Sequence, residues 1–278
     1  MESRSQVAEI CRKLGITDEK FIEIELKRRL HFAKYDKLRE FLKKNSFSSA
    51  QPVSFFDQYL DTKDLAMSQK GVSLRIRYKQ DGAKVYIQYK GPGFLRNNIL
   101  FRSEFNSGKL PNIVLKEHHN NFVHFNEKNV QDIILNHLPD EMAAALRDHL
   151  GAKILGKISV GNLICFYKKE KFLVKKGKIY LEPSLDKIYS FYVRGERIYP
   201  MATFSEYENE IKAENNSLEG KLDNLPFLLK FDRMIASKFG LPPERQDKYH
   251  RCLSLFAKSL PKNSFSQIFT RFSGRRKK

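Results

Sequence analysis

Cysteine is scarce: Cys11, Cys165 and Cys252 are the only three, and they lie far apart in the sequence. They form neither a zinc-binding spacing nor an even disulfide framework, which fits a reducing cytosol. No run of about 18 uncharged apolar residues occurs, so no membrane-spanning helix is expected. The opening Met1-Glu2-Ser3-Arg4 lacks the basic and apolar regions of a secretion signal. There is no G-x-S-x-G elbow, no P-loop and no dinucleotide fingerprint, so neither a serine nucleophile nor those nucleotide sites are signalled. Internal repeats and low-complexity tracts are missing too. Acidic residues are the minority charge, with 32 Asp+Glu against 51 Lys+Arg and a formal net charge of +19. That excess points to an anionic partner: nucleic acid, a phosphate-rich small molecule or an acidic membrane.

What is present is a folding composition, 41% apolar and 30% charged over 278 residues. Residues 1–20 read as a helical lead-in carrying Val7, Ile10 and Leu14, ended by Gly15. Alternation then begins, with Ile22, Ile24 and Leu26 on one face and Glu23, Glu25, Lys27 and Arg29 on the other. A helix is expected over 34–44, then strands over 53–60, 72–79, 84–90 and 99–105. Turn signals separate them at Lys70-Gly71, Asp81-Gly82 and Gly91-Pro92-Gly93. Residues 109–150 read mainly as helical, with helices over 127–137 and 140–149. Strands are expected over 154–160, 162–168, 171–175, 178–182, 189–194 and 202–211, and helices over 225–240 and 244–257. Strands and helices do not alternate regularly, which favours an α+β fold, a largely antiparallel sheet with helices outside it.

The polar strand faces are heavily charged. Arg75 and Arg77 share a face, Lys90 follows Tyr86 and Gln88, Arg102 joins Glu104, and Glu206, Glu208, Glu210 and Lys212 line up. One such strand is most simply a solvated surface. Five together suggest a purpose, because like carboxylates repel unless a cation joins them. Paired hard oxygens suit Mg²⁺ or Mn²⁺, and rows of Arg and Lys suit phosphate oxygens. A barrel of about eight strands is just wide enough to enclose one elongated ligand.

Seven short motifs in order resemble the CYTH domain, or triphosphate tunnel metalloenzyme, family. They are Glu23-Ile-Glu25-Leu-Lys27, Tyr59-Leu-Asp61-Thr62, Gly71-Val-Ser-Leu-Arg75-Ile-Arg77, Lys90-Gly91-Pro92, Arg102-Ser-Glu104, Leu185-Asp186 with the acidic Glu206–Glu210 strand, and Lys248-Tyr249 with Leu253. The resemblance covers about residues 21–256. It implies a closed antiparallel eight-stranded β-tunnel with flanking helices, spanning 21–257, and a divalent metal, Mg²⁺ or Mn²⁺. It also implies hydrolysis of a triphosphate-containing small molecule, inorganic or organic. Carried over by position, Glu23, Glu25, Glu206, Glu208, Glu210 and Asp186 would hold metal. Lys27, Arg75, Arg77, Lys90 and Arg102 would grip phosphate, with Glu104 orienting them. The family's K-x-R pair is matched by Lys157, with Ser159 where the arginine is expected. That departure keeps a non-catalytic polyphosphate or RNA-end binder in view, and adenylate cyclase-type cyclisation is the rival within the enzyme class.

His118, His119 and His124 sit in an Asn-rich stretch that reads as a surface loop rather than a metal site. The cysteines read as inert buried side chains, and the 12 Tyr and 22 Phe chiefly as core. Residues 258–278 contain seven bases and no acid. Phe265, Ile268, Phe269 and Phe272 follow helical spacing there, a basic amphipathic pattern compatible with an acidic membrane surface or RNA. A frayed or docked tail is the plainer reading. The expected location is cytoplasmic, with peripheral membrane contact through the tail as the alternative, and no obligate protein partner is signalled. Much of the remaining positive charge can be placed on the strand faces, beside carboxylates.

Overall fold

The computed structural model describes residues 2–79, 85–110, 118–119, 122–123, 127–194, 197–213 and 216–259. Helix α1 (Glu2–Leu14) leads through a 3₁₀ turn into β1 (Ile22–Leu30). There follow α2 (Phe32–Asn45), β2 (Ser48–Ser49), β3 (Val53–Asp61), α3 (Ala66–Gln69), β4 (Ser73–Lys79), β5 (Val85–Arg96) and β6 (Ile99–Asn106). A small ladder, β7 (His118–His119) with β8 (Phe122–Val123), precedes α4 (Glu127–Asn136), α5 (Asp140–Leu150) and α6 (Ala152–Leu155). The chain then runs through β9 (Ser159–Lys176), β10 (Ile179–Arg194), β11 (Arg197–Lys212), α7 (Leu218–Asp223), α8 (Leu225–Phe239) and α9 (Lys248–Ser259).

Eight strands pair in the order β10-β11-β1-β6-β5-β4-β3-β9, and β9 pairs again with β10, so the sheet closes on itself. Every pairing in this ring is antiparallel. Closure leaves none of the eight with a free edge, apart from where β2 extends along β9. No helix among the described residues is long and apolar enough to cross a membrane.

The alternating pattern places the apolar core outside the ring. Ile22, Ile24 and Leu26 of β1 face outward and pack with Leu14 of α1, Leu38 and Leu42 of α2, and Leu228 and Ile235 of α8. On the far side, Leu74 and Ile76 of β4 and Ile87 of β5 pack with Val130, Ile133, Met142 and Leu146 of α4 and α5. With period-two alternation, the charged residues between them must face the interior. The exception is one end of the ring, where Tyr249 and Cys252 of α9 join Tyr59, Cys165 and Tyr167 in a third cluster. There α9 forms an end wall. Tyr249 Oη donates to Asp61 Oδ2 (2.9 Å), and both His250 ring nitrogens meet acceptors, Asp247 Oδ1 (2.7 Å) and the Ser68 carbonyl (3.0 Å).

Several expectations are corrected. Gly91-Pro92-Gly93 is not a turn but a bulge inside β5, where the register with β6 shifts. A Cβ on Gly91 would sit 2.2 Å from Ser103 Oγ, and one on Gly93 would sit 2.9 Å from the Phe101 carbonyl. These glycines permit close strand approach rather than reversal. The reversal comes later, at Asn97 and Asn98, both left-handed (φ 53° and 64°). No strand begins at 154: α6 occupies that segment, and β9 starts at Ser159. The strands expected at 162–168 and 171–175 are one continuous β9, and those at 178–182 and 189–194 are one β10. The last helix begins at Lys248 rather than 244, with Asp247 Oδ1 accepting the His250 N–H as its cap. Segment 109–150 holds a two-stranded ladder as well as helices, and His118 and His119 lie in it. The Asp81-Gly82 turn, His124 and the amphipathic pattern of 265–272 lie outside the described residues. Cys165 and Cys252, 87 residues apart in sequence, come within 3.5 Å at Sγ.

Candidate active site inside the ring

The interior holds a cavity of ≈ 550 Å³. It is lined from β1 by Glu23, Glu25 and Lys27, from β4 by Arg75 and Arg77, from β5 by Gln88 and Lys90, and from β6 by Glu104. Lys169 and Lys171 of β9, Glu182 of β10, and Glu208, Glu210 and Lys212 of β11 complete the wall, with Asp247 and Lys248 at the α9 end. Nine basic and seven acidic side chains line it. The cavity is therefore close to charge balance, and the bulk of the chain's +19 lies elsewhere, contrary to the expectation that the strand faces would absorb it.

Cations and carboxylates are interlocked. Lys90 Nζ lies 2.7 Å from Glu23 and 2.8 Å from Glu104. Lys27 Nζ is 3.1 Å from both Glu25 and Glu208, and Lys169 Nζ is 2.7 Å from Glu208. Lys248 Nζ stands among three carboxylates: Asp186 (2.8 Å), Glu206 (2.7 Å) and Glu208 (2.7 Å). Asp57, fully buried on β3, accepts Arg77 Nε (2.7 Å) and Nη2 (2.8 Å) and also meets Arg75 Nη1 (2.9 Å). Arg75 Nε donates to Gln88 Oε1 (2.8 Å), and Gln88 donates on to Glu104. Both guanidiniums are thereby fixed in place.

These contacts tune the acids in opposite directions. Burial, then the neighbouring Glu104 and Glu25, push Glu23 up to about 8. Burial also raises Glu206 and Glu210. Burial opposes ionisation of Glu208 too, but Lys169, Lys248 and Lys27 outweigh it and hold that carboxyl well below the usual range. Burial likewise works against Glu25 and Glu104, and the lysines beside them outweigh it, Lys27 at Glu25 and Lys90 at both.

The structure gathers most of the sequence-derived site residues here. Glu23, Glu25, Lys27, Arg75, Arg77, Lys90, Glu104, Glu208 and Glu210 line the cavity. Asp186 and Glu206 are fully buried behind Lys248, and Arg102 is buried with its Nη2 3.2 Å from Asp247. Lys157 is not on the wall: it is exposed in the turn before β9. Ser159 Oγ lies within 3.4 Å of the Asp61 carbonyl, also off the wall. The cationic pair of that strand is Lys169 and Lys171, twelve residues further along. The sequence offers Lys168 and Lys169 as substitutes for the missing arginine; the break expected between strands 162–168 and 171–175 separates Lys169 from Lys171, although Tyr167, Lys169 and Lys171 keep period two on one continuous strand. Asp57 was also missed as a site residue, since a lone buried carboxylate carries no spacing signal.

The sequence model of the CYTH domain matches residues 22–219. The chain belongs to the CYTH domain family. No curated protein matches it in sequence. Solved structures similar to this CYTH chain include a candidate adenylyl cyclase from Hippeastrum, reported with a dominant triphosphatase activity. It is 17% identical, with 87% of this chain and 99% of that one covered and a TM-score of 0.48. A candidate adenylate cyclase from Bacillus halodurans is also 17% identical (82% and 96% covered, TM-score 0.49). The Mimivirus capping enzyme triphosphatase is 13% identical (81% and 96% covered, TM-score 0.42).

Proposed function

We propose that this CYTH protein is a metal-dependent triphosphatase acting inside the ring. The observation that carries the reading is the lining itself: carboxylates and cations interleaved around one cavity of ≈ 550 Å³, with an end wall from α9. A free triphosphate is strongly anionic, and nine cations converge on the space it would occupy. Lys27, Lys90, Arg75, Arg77, Lys169 and Lys171 would bind and align its phosphates, with Asp57 and Gln88 holding the two arginines in position. Glu104 would keep Lys90 aimed inward.

The residues also fit a divalent cation. Glu23, Glu25, Glu208 and Glu210 supply hard oxygens from the wall, and Asp186, Glu206 and Glu208 bring carboxylate oxygens within 4.8 Å of one another. Mg²⁺ or Mn²⁺ held among these carboxylates would neutralise phosphate charge and lower the pKa of bound water. Among the described residues, eight of the nine wall cations, all but Lys109, are paired with a carboxylate before ligand arrives, so anion and metal should bind together, each releasing the other's partners. Ser159 was the ground for a non-catalytic binder; lying off the wall, it lends that alternative no support.

The test is release of orthophosphate from inorganic triphosphate with Mg²⁺ or Mn²⁺. Glu25→Gln should lower turnover by about 100-fold or more with the fold intact. A purified protein with no metal-dependent turnover of any triphosphate would sink the enzyme reading. Survival of activity in Glu25→Gln would sink the metal assignment.

A further inference from the structure

The inner face of the β9–β10–β11 wall continues past the cavity. Across the three strands, Ser184 sits between Lys171 and Glu208, and Glu182 lies opposite Glu210. One step further out, Tyr180 sits between Lys175 on β9 and Lys212 on β11. Alternation puts this row on the same face as the cavity lining. Lys175 Nζ lies 5.0 Å from the Tyr180 ring centroid and 6.0 Å from that of Phe47. Phe47 is 74% exposed, yet its backbone N–H is fixed to the Leu173 carbonyl (2.7 Å).

An exposed phenylalanine at this place does nothing for a bare polyphosphate. Lys171 and Lys212 have carboxylate partners in Glu182 and Glu210, while Lys175 meets only aromatic rings among the described residues. Two rings bracketing one cation make a platform for a flat, electron-rich group. Such a group, joined to a triphosphate whose phosphates lie among Lys169, Lys171 and Lys27, would leave the mouth beside this row.

We propose that Phe47, Lys175 and Tyr180 form a rim subsite for a nucleobase carried on the triphosphate, with Phe47 as the specificity-determining residue. This rests on the triphosphate reading above. A mononucleotide and the 5′ end of an RNA present the same chemistry at this point.

Binding of non-hydrolysable imido analogues with Mg²⁺ tests it, by calorimetry on the full chain. The probes are imidotriphosphate, β,γ-imido-ATP and an oligoribonucleotide with a 5′ β,γ-imidotriphosphate. Phe47→Ser should leave imidotriphosphate affinity within about twofold and weaken a base-bearing probe by about tenfold. Phe47→Trp should restore it. Weakening of the ATP analogue identifies a single nucleotide; weakening of the oligonucleotide alone identifies a chain end. An equal change on all three probes, or none on any, overturns the rim. If imidotriphosphate does not bind wild type, the triphosphate reading fails and the rim falls with it.

Discussion

Replacing Lys248 by methionine removes one buried ammonium from among three carboxylates. Taking one partner out of a buried ion pair costs about 3–5 kcal/mol, because the remaining charge is stranded. The three acids are not equally exposed to that loss. Glu208 keeps Lys27 and Lys169, and Asp186 keeps Lys169 at 3.5 Å. Glu206 keeps only Arg251, at 3.4 Å. The cost should therefore fall near the lower end, about 3 kcal/mol, or about 6–12 °C in Tm for a chain of this size. It should also depend on pH. Burial already raises Glu206 above its ordinary 4.5, and losing Lys248 pushes it further. A carboxyl raised in the fold binds more protons folded than unfolded, so its penalty grows as pH rises through the folded pKa and fades toward acid. Urea denaturation of wild type and Lys248→Met in EDTA at pH 5.5 and 8 measures both effects. Asp186, Glu206 and Glu208 offer oxygens within 4.8 Å of one another, so Mn²⁺ should stabilise the variant more than wild type. A loss below about 1 kcal/mol at pH 8, or the same loss at both pH values, would refute the stranded-charge argument.

Two further predictions concern other parts of the molecule. Lys169→Ala should reduce triphosphate turnover by about 100-fold, and Lys157→Ala should leave it unchanged within about twofold; the reverse ranking in a phosphate-release assay would return the cationic pair to the turn before β9. His149 Nε2 donates to the Leu14 carbonyl (3.0 Å), leaving Nδ1 to accept from Tyr89 Oη (2.9 Å), so the folded ring is neutral. Burial holds its pKa below the ordinary 6.5. The unfolded chain then takes up the proton first, and this residue's contribution to stability should fall as pH drops below about 6.5. His149→Gln should flatten that part of the urea-midpoint profile; an unchanged slope between pH 7.5 and 5.5 contradicts the neutral tautomer.

Much of the ring was legible because its strands obey a strict two-residue alternation. Glu23, Glu25 and Lys27 could be assigned to one face from spacing alone, and the outward placement of Ile22, Ile24 and Leu26 followed. What was lost was lost where alternation gives no boundary. β9 runs for 18 residues through Lys168-Lys169-Glu170-Lys171, a charged stretch that looks like a turn. It stays extended because outward Glu170 is buried against Arg39 of α2 (2.6 Å), a contact between residues 131 apart. The glycines of β5 misled for the opposite reason: turn chemistry and strand contact demand the same small residue. The partners of Lys248 and Asp57 were invisible because they depend on how helix and strand meet in space.

Ring closure also bears on how the chain is made. β1 pairs on one side with β6, about 80 residues downstream, but on the other with residues 205–210 of β11. During synthesis its second edge stays unsatisfied until nearly the whole ring sequence has emerged. A partially made chain is thus an open sheet whose most charged face is wet and whose edges can pair with a neighbour. The same wet, charged face that waits during synthesis disfavours early collapse of the strands onto one another. Nascent-chain aggregation, rather than catalysis, is where weakening the β1–β11 seam should show first.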